Sequence, residues 1–397
     1  MSSSFALFSG DAPAFAAPLP VGQLYMPEWS RFEAAMKGVF DRAWYTNHGP
    51  LARQLEEELA QFLRVRHVIC VTNATIGLLM AADALQLSGK VIAPSHTFIA
   101  TAQSLQWCGL EPVFCDIDPE THQIDPVAAE RLIAPGVTAL LGVHLWGGAC
   151  DVARLETLTR EHGLKLYFDS AHAFGCEVDG GKIGGFGEIE VFSFHATKVM
   201  SATEGGCIAT NDDDLAARLR NIRSSYGAGA PVPVVRTSNG RMSEAQAAIA
   251  LLNLEDFPKI QAKNEALFKT YDRCLGDIPG IKLVRPSNVS FSNFQYAACE
   301  LDPESFGLSR DALVDVLCAE NVIARRYFHP ATHRAKGFDR DADRVAERLP
   351  ATERATRNGL QLPLGARVAE ADVERICELI AAIRSNAGEI GRQLARA

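Results

Sequence analysis

Residues 137–198 read VTALLGVHLWGGACDVARLETLTREHGLKLYFDSAHAFGCEVDGGKIGGFGEIEVFSFHATK. Three apolar runs stand out in this stretch, VTALLGV, LKLYF and IEVF, and a helical pattern over 152–162 joins the first two. A strand that is apolar at nearly every position is buried on both faces. Such strands, linked by helices, make a mostly parallel sheet covered on both sides. The rhythm continues upstream. HVICVT precedes a helix over 76–85, KVIAPS a helix over 99–108, and PVFCDI a helix over 126–133. Downstream it closes with GGCIATN at 205–211. The expected fold class is therefore α/β.

The flanks extend this plan. Residues 1–27 are rich in Ser, Ala and Pro and are expected as an extended arm. Helices are expected over 28–42 and 51–62, separated by a turn at Asn47-His48-Gly49-Pro50. After about residue 255 the pattern changes to long helices, over 264–275, 310–320 and 371–384, around strands such as FQYAACEL. The chain thus divides into an arm (1–27), a large α/β domain (28–255) and a smaller C-terminal α+β domain (256–397).

Composition narrows the function. The 397 residues carry 39 basic and 48 acidic side chains, a formal net charge of -9, with no run of Lys or Arg. Phosphate neutralisation needs clustered cations, so no nucleic-acid partner is expected. The ten cysteines are scattered, with no CxxC pair and no metal-type Cys/His spacing. They read as reduced core thiols, and no metal site is expected. The N-terminus lacks the basic start and apolar stretch of a signal peptide, and no segment approaches the ~20 apolar residues of a membrane helix. A cytoplasmic protein with no membrane partner is expected.

An open α/β sheet binds ligands at the carboxyl ends of its strands, so the residues just after each apolar run are the candidates. Lys198 ends SFHATK, between two apolar strands. A lysine there is either a solvated surface charge or a desolvated amine able to attack a carbonyl. Ser193 and His195 offer polar groups beside it. Asp169 ends LKLYFD, where a buried carboxylate needs a partner; it reads as a helix cap or as the counter-charge of a cationic ring nitrogen. His172 follows, as a core histidine or a donor to a ring oxygen. Asn73, Ala74 and Thr75 lie between a strand and a helix, an ordinary cap or a phosphate cradle. Phe98 follows KVIAPSHT, as core or as a stacking partner for a flat ring. A lysine Schiff base with an aspartate on the pyridinium nitrogen is the protein signature of pyridoxal 5′-phosphate (PLP).

Taken in order, these sites resemble the fold-type I PLP enzymes, and in detail the DegT/DnrJ/EryC1/StrS sugar aminotransferase family. The likeness is carried by WYTNHGPLARQLEEELA, APSHTFIATAQSLQWCGLEPVFCDIDPETHQIDP, GVHLWG, FDSAHAFG, GGFGEIEVFSFHATK, EGGCIATND and SNGRMSEAQAAI. The resemblance implies a seven-stranded, mostly parallel sheet in the large domain. It implies Lys198 as the Schiff-base lysine, Asp169 as pyridinium partner and His172 beside the ring hydroxyl. Ala74, Thr75 and Ser193 would hold the phosphate, with Phe98 stacking on the ring. Asn239 would reach the phosphate across a homodimer interface, so that active sites are shared. His329 and His333, in RYFHPATH, resemble a loop close to the sugar nucleotide, and Asn47 joins them as a substrate-side candidate.

The family's chemistry implies L-glutamate as donor, pyridoxamine 5′-phosphate as the aminated intermediate form, Lys198 as general acid/base, and a keto-sugar nucleotide as acceptor, here a dTDP-4-keto-6-deoxyhexose. Two stretches depart from the common pattern, Val199–Thr203 and 225–237, and both bear on the substrate. Related sugar dehydratases replace the lysine with His, whereas Lys198 is present. The other readings are a different keto-sugar or keto-cyclitol acceptor, and a non-catalytic PLP-binding regulator, for which no DNA-binding appendage is visible.

Overall fold

The computed structural model describes residues 5–10, 12–224 and 231–396. Seven strands form the central sheet: β1 (His67–Val71), β2 (Lys90–Pro94), β3 (Glu111–Cys115), β4 (Val137–Val143), β5 (Lys165–Asp169), β6 (Ile189–Ser193) and β7 (Gly206–Thr210). Their order is β3-β2-β4-β5-β6-β7-β1. All neighbours from β3 to β6 pair in parallel, and β7 runs antiparallel to both β6 and β1. The apolar runs do what their composition requires. Val68 and Cys70 pack on one face of the sheet while Ile69 and Val71 pack on the other, the two-residue alternation of a strand buried on both sides.

Helices cover both faces. The large-domain helices are α1 (Trp29–Arg42), α2 (Pro50–Leu63), α3 (Ala74–Ala84), α4 (Ile99–Trp107), α5 (Pro126–Arg131), α6 (Val152–His162), α7 (Asp213–Arg223) and α8 (Glu244–Leu275). The first six begin and end within two residues of the sequence expectation. Helix α3 lies close against the sheet because Gly77 has no side chain; a Cβ there would stand 2.7 Å from Val191 Cγ1.

Helix α8 runs 32 residues, with Pro258 inside it. The helix expected over 264–275 is its last part, and the expected domain boundary at 255/256 falls within it. Its start carries a capping box, in which Ser243 and Gln246 bond reciprocally. Beyond it, β8 (Ile281–Leu283), β9 (Ala297–Leu301) and β10 (Gly359–Leu362) form an antiparallel sheet in the order β8-β9-β10. That sheet packs with α9 (Arg310–Ala319), α10 (Pro350–Asn358) and α11 (Glu370–Ser385). Leu301, Leu313, Leu317, Ile376 and Ile380 centre this second core.

The arm is integrated into both parts. Phe5 and Phe15 enter the C-terminal core. Leu19 and Pro20 pair in parallel with Val322 and Ile323. Glu320 accepts from the Ala6 and Ala14 amides, each at 2.7 Å. The arm then reaches the loop after β6, where Gln23 N–H donates to Thr197 O (3.1 Å) and Leu24 N–H to Ala196 O (3.2 Å). Of the atypical stretch 225–237, residues 225–230 lie outside the described residues.

Candidate active site

A cavity of about 410 Å³ opens at the carboxyl ends of the central strands, closed on one side by Arg325, Tyr327 and Phe328 from the segment between β9 and β10. Asn73, Ala74, Thr75, Phe98, Asp169, His172, Ser193, His195 and Lys198 all line it. Parallel topology explains the convergence, since each of these residues follows a strand that points the same way.

Lys198 stands on a tight loop between β6 and β7. Its N–H donates to His195 O (2.8 Å), and the flanking backbone closes through Ala196 N–H to Thr203 O and Ala202 N–H to Phe194 O, both 2.8 Å. Its ammonium donates to the Tyr296 hydroxyl at 3.2 Å and lies 5.5 Å from that ring's centroid. Burial disfavours the charged amine and brings its pKa down to about 8, against the opposing pull of Tyr327 and Asp169. A lysine so placed reaches its nucleophilic form near neutral pH.

Asp169 ends β5 and is buried. Burial raises its pKa. Thr101, the Ala171 amide and Lys198 work in the opposite direction. Thr101 Oγ1 donates to Oδ2 at 2.8 Å and Ala171 N–H to Oδ1 at 3.2 Å. Behind it, His144 N–H donates to the Asp169 carbonyl (3.0 Å), and the His144 ring stacks on Phe168 at 4.6 Å. A cationic ring N–H facing this carboxylate would offset the burial that now disfavours its charge.

His172 is buried, with its pKa pushed well below the usual histidine value by burial and by Lys198. It is therefore a neutral imidazole, and its Nδ1 has no partner. Phe98 caps α4 yet is 57% exposed, an unusual position for a large apolar ring. At the other end of the cavity Asn73 is the N-cap of α3, its Oδ1 accepting from Ile76 N–H (2.9 Å). The next two residues, Ala74 and Thr75, begin the helix, so their amides are among those left without helical partners. The ordinary cap is present at Asn73, and it leaves the two amides that a phosphate cradle would need. Ser193 Oγ accepts from the His195 amide (3.4 Å), and His195 Nδ1 lies 2.9 Å from Thr197 Oγ1.

The remaining candidates lie elsewhere. Asn47 and Asn239 are exposed and outside the cavity of their own chain. Asn239 Oδ1 accepts from Arg241 at 3.0 Å. His329 borders an adjoining apolar recess that shares Phe98, Tyr327 and Phe328 with the main cavity. His333 is buried between Ser95 Oγ (2.8 Å) and Glu353 (3.0 Å), where it ties β2 to α10.

Several residues of the site carry no sequence signal of their own. Thr101 sits in the first turn of α4, and Tyr296 lies just before β9. Burial raises the Tyr296 pKa, so it stays a phenol able to accept from Lys198. Gln295 accepts from Val199 N–H (2.7 Å) and donates to Ala171 O (3.5 Å), which locks the lysine loop to the aspartate loop. No local pattern marks these positions, because each acts across more than 60 residues of chain.

The donor set fits PLP. Asp169 presents to the cavity a carboxyl group whose charge burial disfavours, and a cation there would offset that burial. His172 offers an unpartnered nitrogen, Phe98 an exposed ring face, and the α3 N-terminus free amides. Lys198 brings to the same cavity an amine of the kind a Schiff base would need.

Comparisons with known proteins agree. A model of the DegT/DnrJ/EryC1/StrS aminotransferase family matches residues 28–381. The chain is 36% identical over 314 residues to a dTDP-4-amino-4,6-dideoxy-D-glucose transaminase of Shigella dysenteriae, covering 79% of this chain and 85% of that one. It is 32% identical over 345 residues to a GDP-perosamine synthase of Vibrio cholerae, covering 86% and 92%. The solved structure of DesI, determined in the presence of its TDP-sugar product, matches with a TM-score of 0.93 at 38% identity over 100% of both chains. Fold, cavity and sequence thus place the chain in one family: it belongs to the DegT/DnrJ/EryC1/StrS aminotransferases.

Proposed function

We propose that this chain transfers an amino group from L-glutamate to a keto-sugar nucleotide, a dTDP-4-keto-6-deoxyhexose, using PLP held at Lys198. The observation that carries the reading is the convergence of Lys198 and Asp169 on one cavity, with the lysine pKa brought down to about 8. Bound PLP supplies an electron sink that stabilises the carbanion formed when the donor loses its α-proton. The chain's own residues do the rest. Asp169 would keep a ring nitrogen protonated. Ala74, Thr75, Ser193 and His195 would hold the phosphate, and Phe98 would cover the ring. With its amine free, Lys198 would move the proton that the transfer requires, and the Tyr296 hydroxyl, 3.2 Å away, would hold that amine in place. Arg325 offers a guanidinium to the anionic groups of either substrate.

A homodimer with shared sites supports the same chemistry. Helix α1 and the turn after it leave Trp29, Phe40, Trp44 and Tyr45 exposed, an apolar face suited to a second copy. We place Asn239 across that interface, at the partner's phosphate. Among the described residues no helix is long and apolar enough to cross a membrane, and we assign the reaction to the cytoplasm.

The dTDP reading is supported by the likeness to the Shigella dTDP-4-amino-4,6-dideoxy-D-glucose transaminase and to DesI with its TDP-sugar product. The perosamine synthases favour a second reading, a GDP-linked acceptor. Incubation of holoenzyme and glutamate with dTDP- and GDP-linked 4-keto-6-deoxyhexoses, followed by mass spectrometry, separates them. An amino sugar from the dTDP substrate is expected. Amination of the GDP sugar alone would move the assignment, and amination of neither would defeat it.

A further inference from the structure

Trp146 lies behind the cavity, not in it. It is buried at the tip of the turn that follows β4, where Gly148 N–H donates to Leu145 O (2.8 Å). Its φ is +59°, a left-handed conformation that bulky side chains rarely adopt. Its indole N–H donates to His122 Nδ1 at 3.2 Å. His122 is also buried, and its φ is +60°. Two non-glycine residues, both in left-handed backbone conformations, thus meet through their side chains.

The hydrogen bond fixes a proton arrangement. An indole nitrogen can only donate, so His122 Nδ1 accepts, and in the neutral ring the proton resides on Nε2. That Nε2 faces Glu300 Oε1 at 3.4 Å, and neither atom has another hydrogen-bond partner. Glu300 belongs to β9, in the C-terminal domain. On its other side the indole meets the His172 ring, 5.4 Å between centroids at 34°, and the Tyr296 ring, 5.8 Å edge-on. His172 in turn lies 4.6 Å from Tyr296, the partner of Lys198.

We infer that Trp146 is a positioning residue for the amino transfer proposed above, set in place through His122 by Glu300 of the C-terminal domain, and that it fixes the orientation of His172 and Tyr296 against the cofactor ring and Lys198. The inference rests on the transaminase reading for its kinetic arm alone. The contacts through Glu300 also make the catalytic wall depend on how the two domains are docked.

The test uses Trp146→Phe, His122→Phe, the double variant, and His122→Gln, whose amide oxygen can still accept from the indole. In the holoenzyme, Trp146→Phe and His122→Phe are each expected to lower kcat about tenfold, with the glutamate KM changed less than about twofold. The double variant should lose no more than either single one, because both remove the same bond. His122→Gln should recover most of the rate. A second readout needs neither cofactor nor activity: imidazole ¹⁵N NMR of His172 in the cofactor-free protein. Its resonances should shift in both single variants and return in His122→Gln. Additive losses, wild-type kcat with only a lowered Tm, or an unmoved His172 signal would each overturn the inference. If the wild type shows no glutamate reaction at all, the proposed function falls, and the His172 signal still decides this one.

Discussion

At the scale of single residues the site rests on two opposed burials, of an amine and of a carboxylate. Lys198 has a lowered pKa, about 8 in place of 10.5. The folded, cofactor-free protein therefore carries a full penalty for the charged amine below pH 8, and the penalty is relieved as pH rises from 8 toward 10.5. Replacement by Met removes the titrating group. Lys198→Met apoprotein should be the more stable at pH 7, and its advantage in Tm should shrink between pH 8 and 10; a constant difference would contradict the burial argument. Asp169→Asn keeps the shape and the Thr101 contact while removing the charge. The glutamate half-reaction should then slow on the order of 10²-fold, the scale of a lost electrostatic stabiliser, as stopped-flow absorbance would report. That Lys198, Asp169 and His172 would reach one cavity was legible in the sequence because each comes within a few residues of the end of an apolar run. Thr101, Tyr296 and Arg325 were not, since their role exists only after residues distant in sequence are brought together.

Among elements, the strands and helices of the large domain were legible from periodicity, because strands buried on both faces and amphipathic helices write distinct patterns. The first half of α8 was not read as helix. Its Ala-rich start lies against both the sheet helices and the neighbouring turn, and its pattern is correspondingly mixed. One residue there joins two helices. Glu244 is buried at the first position of α8, and its carboxylate accepts from the Leu51 and Ala52 amides of α2, both at 2.9 Å. It thus caps a helix 190 residues away. Glu244→Ala strands those amides and should lower stability by about 2 kcal/mol in urea denaturation. A second prediction concerns the contact between β7 and the start of α3. A Cβ on Gly206 would stand 2.5 Å from Phe192 O and 3.0 Å from Ala74 N. Gly206→Ala should therefore push the α3 N-terminus off the sheet and weaken PLP retention, as measured by equilibrium dialysis, more than it lowers Tm. Unchanged retention would detach the α3 terminus from phosphate binding.

For the molecule as a whole, the arm and the proposed dimer bear on how complete a single site is. The arm was expected only as an extended segment, because it lacks periodicity. Its function comes from where it docks, on the C-terminal core at Phe5 and Phe15 and on the lysine loop at Gln23 and Leu24. The shared-site proposal can be tested by complementation. Lys198→Ala and Asn239→Ala chains, refolded together, should regain about a quarter of wild-type activity, because in each mixed dimer one site receives an intact lysine and an intact asparagine. No recovery would place Asn239 outside the partner's site. The central claim is that Lys198 carries PLP and gives it up to glutamate, and an absorbance spectrum of the purified protein tests it most directly. A band at roughly 410–430 nm that moves toward ~330 nm on adding L-glutamate, and that is missing from Lys198→Ala, is the result expected of a lysine–PLP Schiff base. No such band after added PLP, or a band that survives in Lys198→Ala, would contradict it.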